Sequence, residues 1–331
     1  MRRPLLRALL GLAISAVAVA LVVRQVDLVA AWDVLRNANP AWVAATVACI
    51  VLDVVLRAFR WRGLLAPIAR LRLPTVGASL LVGYLANNIL PARLGELVRS
   101  HHLGDRTGVS RASVLGTVVV ERVVDTGVLV AIASAAIVVL SVRGIVASAV
   151  LLGLAATGLL IAALALALVA HRLPYADRAV AALERRPAVA RAASRLRGGL
   201  AVAGRPRTMA GAIGWTVVAW ASTIVAFAAA GHAIGLELTW GQAALLAAGV
   251  SLVTAIPAGP GYVGTFELAA VEIAGAVGIA AEPAFALALL VHAAILAVTS
   301  VGGVAAYLAT RGRPADMQQG HARSAPAQAN P

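Results

Sequence analysis

The sequence predicts an all-α polytopic membrane protein with about six full spans and two re-entrant helical hairpins in an inverted repeat. Three observations carry that expectation. Of its 331 residues, 61% are hydrophobic and only 13% charged, with a mean hydropathy of +0.90. A soluble domain of this length cannot bury so much apolar surface. Apolar stretches of about 20 residues, the length that crosses a bilayer, lie near 5–23, 40–58, 112–141, 145–170, 208–230 and 283–309. Two further apolar runs are interrupted in mid-course and stand half a chain apart. The first, from Ser79, reads SLLVGYLANNILPARLGELVRS; the second reads AALLAAGVSLVTAIPAGPGYVGTFELAAV. Corresponding Pro/Gly-broken segments in the two halves of a membrane protein point to a transport site at an inverted-repeat interface.

In chain order, the first span follows Arg2, Arg3 and Arg7. A basic start and an apolar run resemble a signal peptide, but the run continues to Val23 and further spans follow, so an uncleaved span is expected. The interrupted segments, 75–103 and 243–280, read as re-entrant hairpins, because each pairs two short apolar arms across a tip. Asn87, Asn88, Pro91 and Gly95 break the first; Pro257, Gly259, Pro260, Gly261 and Gly264 break the second. Non-helical backbone at membrane depth survives only where protein or a polar cavity covers it. The expected organisation is a first membrane repeat over 1–170, a basic cytoplasmic loop over 171–207, a second membrane repeat over 208–310 and a disordered cytoplasmic tail over 311–331.

All 28 basic residues are arginine, and the net charge is +14. The arginines lie between apolar spans, not on one soluble face, so topology explains them and nucleic-acid binding is not expected. With the N-terminus inside, only Arg24, Arg36 and Arg143 fall outside, while Arg93, Arg99 and Arg122 fall in membrane-associated segments. That asymmetry places both termini in the cytoplasm and the protein in the cytoplasmic membrane. The 171–207 loop holds nine arginines against Asp177 and Glu184, with Val180, Leu183, Val189 and Leu196 at helical spacing. A basic amphipathic helix on anionic lipid and a plain topology-fixing linker account for it equally well.

Charges inside the membrane are the sharpest functional clue, since each costs about 2.5–3.5 kcal/mol even on lenient scales. Asp125 lies about 40° around the helix from Glu121, and Arg122 about 100°, so the three share a sector that should face the bundle interior. Arg93, Glu96 and Arg99, three apart, share a face of the first hairpin's second arm. Arginine forks suit phosphate, and a glutamate between two of them could neutralise them until substrate competes. Asn87 and Asn88 could bind substrate or cap freed backbone groups. Glu267 begins the second hairpin's second arm, where free N–H groups favour an anion. Asp53, Arg57 and Arg60 share a helix face near a cytoplasmic end, where snorkelling to the interface is the default. His232 and His292 show no metal-ligand spacing, and no nucleophile elbow is present, so no metal, cofactor or enzymatic activity is expected. The lone Cys49 reads as a packing residue.

The ordered motifs NNILPARLGELVRSHHL, ERVVD and IPAGPGYVGTFELA resemble the transmembrane domain of lysylphosphatidylglycerol synthases. The resemblance covers about residues 5–310. It implies a flippase-like domain; in bifunctional members such a domain moves aminoacylated phosphatidylglycerol while a separate soluble domain makes it. No aminoacyl transfer is expected of this chain. The resemblance picks out Asn88, Pro91, Arg93, Gly95, Glu96, Arg99, Glu121, Arg122, Asp125, Pro257, Gly261, Gly264 and Glu267. The expected function is therefore translocation of a phospholipid or polyprenyl-phosphate lipid between leaflets. Its substrate would lie on Asn87, Asn88, Arg93, Glu96, Arg99, Glu121, Arg122, Asp125 and Glu267, between tips shaped by Pro91, Gly95, Pro257, Gly259, Gly261 and Gly264. A small-solute or ion transporter, and a non-transporting membrane partner of a lipid or envelope synthesis enzyme, are the alternatives. The small number of spans would suit a homodimer.

Overall fold

The computed structural model describes residues 2–90, 94–148, 187–254 and 258–311, with positions 150, 152, 153, 155, 158, 159 and 162. Among these residues all regular structure is helical. Four helices are long and apolar enough to cross a membrane: Pro40–Leu65 (α3), Arg111–Leu140 (α6), Pro206–Ala233 (α8) and Ala281–Thr310 (α11). A fifth crossing is available if Arg2–Gln25 (α1) and Leu28–Arg36 (α2), bent by 87° at their junction, form one span. The expected first span therefore continues into a helix that hydropathy alone does not mark. Asp27 creates the corner: its carboxylate accepts from Val29 N and Ala30 N and caps α2. Most of the expected span at 145–170 lies outside the described residues.

Each interrupted segment forms two antiparallel helices. The first comprises Leu73–Ile89 (α4) and Gly95–Thr107 (α5). Gly95 allows their close crossing, because a Cβ there would stand 2.0 Å from the Gly83 carbonyl oxygen. The Asn87 side chain accepts from Gly95 N at 2.8 Å, so it satisfies backbone freed at the break, one of the two roles expected for it. The second comprises Trp240–Val253 (α9) and Thr265–Gly275 (α10), joined through a short 3₁₀ turn at Pro260–Tyr262. Gly261 (φ 63°) and Gly264 (φ 83°) take the left-handed conformation that this tip requires. Gly264 also abuts α1, where a Cβ would meet Val19 Cγ2 at 2.6 Å. Pro91, Arg93 and Pro257 lie outside the described residues.

The packing is reciprocal. Helix α3 runs along α8, α6 touches α5 of its own half and α9 of the other, and α11 touches α10 of its own half and α4 of the other. The core follows this exchange, with the largest buried cluster joining α9, α10 and α11 through Leu245, Leu246, Phe266, Ile273, Leu287 and Val291. From the basic loop, Pro187–Leu200 (α7) is described; 171–186 lies outside the described residues. Helix α7 crosses α6 where Gly116 meets Gly199, close enough that a Cβ on Gly116 would stand 2.7 Å from Gly199 Cα. The Ser113 hydroxyl donates to the Arg195 carbonyl at 3.0 Å, while Arg195 and Arg197 remain exposed. The tail beyond Arg311 lies outside the described residues.

Gly95→Ala is expected to lower stability by about 1–3 kcal/mol, the cost of overpacking. Gly63→Ala, in α3 with nothing within 4 Å of the added methyl, should be neutral or stabilising by up to about 1 kcal/mol. Thermal unfolding of the two variants in detergent compares them directly.

Candidate functional site

At the centre of the helices lies a buried ion network whose members come from three elements. Helix α3 supplies Asp53, Arg57 and Arg60, α5 supplies Glu96 and Arg99, and α6 supplies Glu121, Arg122 and Asp125. Arg60 stands between the two α6 carboxylates, donating from Nη2 to Glu121 at 2.9 Å and from Nη1 to Asp125 at 2.8 Å. It is 1% exposed and Glu121 is fully buried. Arg99 donates to both Glu121 oxygens at 3.1 and 3.2 Å. Arg57 holds Asp53 at 2.7 Å and reaches Asp125 at 3.4 Å. Arg122 pairs with Glu96 at 2.8 Å and lies 3.5 Å from Asp125.

Four guanidinium groups and four carboxylates thus balance, which is the condition for charge to survive in an apolar interior. Neutral groups complete the shell. The Trp220 indole donates to Asp125 at 3.0 Å, and Thr216 Oγ1 accepts from Arg60 at 3.2 Å. Arg57 lies over the Trp220 ring at 4.5 Å and Arg99 over Trp61 at 4.7 Å.

Glu121, Arg122 and Asp125 face the interior, as their helical spacing required. Arg57 and Arg60 depart from expectation, because they do not snorkel to a cytoplasmic interface. They are 8% and 1% exposed, held inside because Asp53, Glu121 and Asp125 offset their charge. The signal was in the sequence as one more charged helix face, but its partners lie more than 60 residues away. Periodicity along one helix cannot reveal them.

A cavity of about 230 Å³ opens beside this network, between the two hairpins. Asn87, Asn88, Arg122 and Asp125, all expected site residues, line it, with Asp53, Arg57 and Tyr84 on the same side. Ser251, Thr254, Tyr262 and His292 face it from the second half. Asn88 is engaged as well, donating to Thr299 at 2.8 Å and Ser300 at 3.0 Å and so tying α4 to α11. Glu96, Arg99 and Glu121 stand behind the lining. Glu267 is not among the arginines either: its Oε2 accepts from Gly264 N at 2.7 Å, capping α10, and its Oε1 meets His292 Nδ1 at 2.6 Å. His292, unassigned by sequence, is the residue through which Glu267 reaches the cavity.

The backs of the same helices line a second, apolar groove of about 930 Å³ between α1, α6, α9 and α10. Neighbouring residues face opposite ways: Thr126, Leu252 and Thr265 line the groove, whereas Asp125, Ser251 and Phe266 line the polar cavity. On the α1 side, Leu10 and Val17 are more than half exposed.

Residues 8–303 match the family model described as the lysylphosphatidylglycerol synthase TM region. The chain belongs to that family. This multi-pass membrane protein is also similar to the glycosyltransferase AglD of Haloferax volcanii, with 29% identity over 135 residues. That match covers 40% of this chain and 22% of AglD, so it spans under a quarter of that relative. Membership of the family fits the ion network and both hairpins inside the matched region, and gives the protein a membrane-lipid context.

Removing Arg60 leaves Glu121 and Asp125 short of a buried partner. Arg60→Ala is therefore expected to destabilise by about 3–5 kcal/mol, more than Arg122→Ala, whose side chain is 32% exposed. Thermal unfolding followed by the fluorescence of Trp61 and Trp220 should show the larger fall for Arg60→Ala.

Proposed function

We propose that the protein is a lipid translocase of the cytoplasmic membrane, without enzymatic activity, moving a phospholipid or polyprenyl-phosphate lipid between leaflets. The observation that carries the reading is the pairing of a charged cavity between the hairpins with a large apolar groove on the opposite face of the same helices. A lipid presents a polar headgroup and apolar chains, and this arrangement offers one surface to each. Lipid movement further requires a lateral opening to the bilayer beside the hairpins, whereas a solute carrier requires a closed wall there.

The reciprocal packing of α3–α6 with α8–α11 supports an inverted repeat around the cavity. The arms α5, α9 and α10 hold 13, 14 and 11 residues, about 16–21 Å at 1.5 Å per residue. They are short for a core of about 30 Å, which favours re-entrant hairpins. In this reading six crossings, including 145–170, surround the hairpins and both termini are cytoplasmic.

Arg122 and Arg57 bind the headgroup phosphate by exchanging one carboxylate contact each, with Glu96 and Asp53 released as the phosphate arrives. Arg99, Glu121 and Arg60 hold the network in register, and Asn87 and Asn88 bound the site at the first hairpin. Arg93, by its sequence spacing from Glu96, is a further ligand for the phosphate. The exposed Arg195 and Arg197 of α7 meet anionic lipid at the cytoplasmic leaflet. One observation favours a small-solute carrier as the second reading: at about 230 Å³ the cavity is small for a whole headgroup and its water.

Purified protein in liposomes should accelerate the leaflet exchange of fluorescent phospholipids. Glu96→Gln and Arg122→Ala are each expected to slow that exchange on the order of tenfold, equivalent to about 1.4 kcal/mol. Acceleration unchanged by both substitutions would remove these residues from the path. No acceleration with any headgroup would favour the solute carrier.

A further inference from the structure

The two halves place corresponding acid–base pairs beside the cavity, and the pairs differ in one respect. In the first half Glu96, in the opening turn of α5, meets Arg122 of α6 at 2.8 Å. In the second half Glu267, in the opening turn of α10, meets His292 of α11 at 2.6 Å. Glu96 and Glu267 both precede a leucine, and the basic partner follows each glutamate by nearly the same interval, 25 residues in the second half. Arginine holds its proton at any physiological pH, whereas histidine exchanges one.

We propose that His292 and Glu267 form a one-proton binding site that clasps the tip of the second hairpin over the cavity and opens when the proton leaves. The argument is a proton count. His292 Nε2 lies 2.7 Å from the Gly261 carbonyl oxygen, which can only accept, so Nε2 carries a hydrogen. Nδ1 and Glu267 Oε1, 2.6 Å apart, require one more proton between them. The closed pair therefore holds that proton and is neutral overall, whichever atom carries it. Its loss sets an imidazole lone pair against a carboxylate at a site where His292 is 4% and Glu267 6% exposed. That contact is repulsive and carries an uncompensated charge, so it separates.

Separation acts on the tip directly. His292 holds Gly261, a residue in the left-handed conformation, and Glu267 caps the helix at Gly264. Between them Tyr262, a non-glycine residue at φ 60°, is held in a conformation costly to L side chains. Phe266 stacks on the imidazole at 4.4 Å and shields it. The ionisable groups facing the pair across the cavity are Asp53 and Arg57 of α3, Tyr84 of α4, Arg122 and Asp125 of α6, and Tyr262 of the tip itself. The α9 and α11 lining adds only neutral Ser251, Thr254 and Thr299, and α1 brings Ser15 to Gly259. The two arginines and two aspartates cancel, leaving the pair's own proton to set its charge.

The closed state holds one proton more than the open one, so rising pH favours opening. On the translocase reading, on which only this step rests, one proton enters as the tip closes on substrate and returns to water as it opens. Lipid movement would then draw on a proton gradient.

The test is hydrogen–deuterium exchange of residues 258–268 in purified full-length protein in nanodiscs, from about pH 5 to about pH 9, corrected for intrinsic exchange. It needs no lipid movement, so its result is independent of the leaflet-exchange assay. Wild-type protection is expected to fall with rising pH by up to tenfold per unit, the slope of one proton. Glu267→Gln can still cap Gly264 and can donate its amide to Nδ1, and His292→Arg replaces the imidazole with a group that keeps its proton. Both should keep the tip protected with a flat profile. A flat wild-type profile, or the wild-type slope persisting in Glu267→Gln, would overturn the proposal. So would loss of protection at every pH in both variants, which is what a purely structural clasp predicts.

Discussion

Neutrality of charge in an apolar interior governs this structure. Eight ionised side chains from α3, α5 and α6 are drawn together because none could remain inside alone. Each unpaired charge would cost several kcal/mol, and the penalty for losing a partner exceeds the gain from making the pair. The network therefore fixes positions more than it adds stability. Arg60 can satisfy Glu121 and Asp125 together only if α3 and α6 keep one rotation and one depth. Arg99 can reach Glu121 only if the second arm of the first hairpin lies against α6. Trp61 and Trp220 cover two of the guanidinium planes, limiting the routes by which water could relax the constraint.

Backbone chemistry solves the same problem at the hairpin breaks. A chain that stops being helical inside a membrane exposes donors and acceptors that lipid cannot satisfy. Asn87 satisfies the amide of Gly95, Glu267 that of Gly264, and Ser15 that of Gly259. Glycine permits the approach at each place. Of these side chains Asn87 itself lines the polar cavity, and Glu267 reaches it through His292, so repair of the breaks and construction of the site share residues.

The two halves solve these problems with similar geometry and different chemistry. The first relies on arginines and a dense ion network; the second relies on one imidazole, a capped helix and left-handed glycines. Helix α11 joins them, holding Gly261 through His292 and Asn88 through Thr299 and Ser300. A change at either hairpin is thus mechanically available to the other through a single span.

Much of this was legible in the residues. Hydropathy and length identify α3, α6, α8 and α11, and Pro, Gly and Asn at the breaks identify both hairpins. Helical spacing alone put Glu121 and Asp125 on an inward face. These features are local: they depend on composition and on periodicity within one segment. The corner at Asp27 was missed, because one short capped helix after an apolar run looks like a loop. The burial of Arg57 and Arg60, the reassignment of Glu267 to His292, and the engagement of Asn88 by α11 depended on partners between about 25 and 200 positions distant. Sequence determined that charge would enter apolar spans and that two further apolar segments would break at Pro, Gly and Asn. Only tertiary structure decided which charges cancel, since whether an ion is held inside or drawn to the interface is set by the opposite charge that packing brings to it.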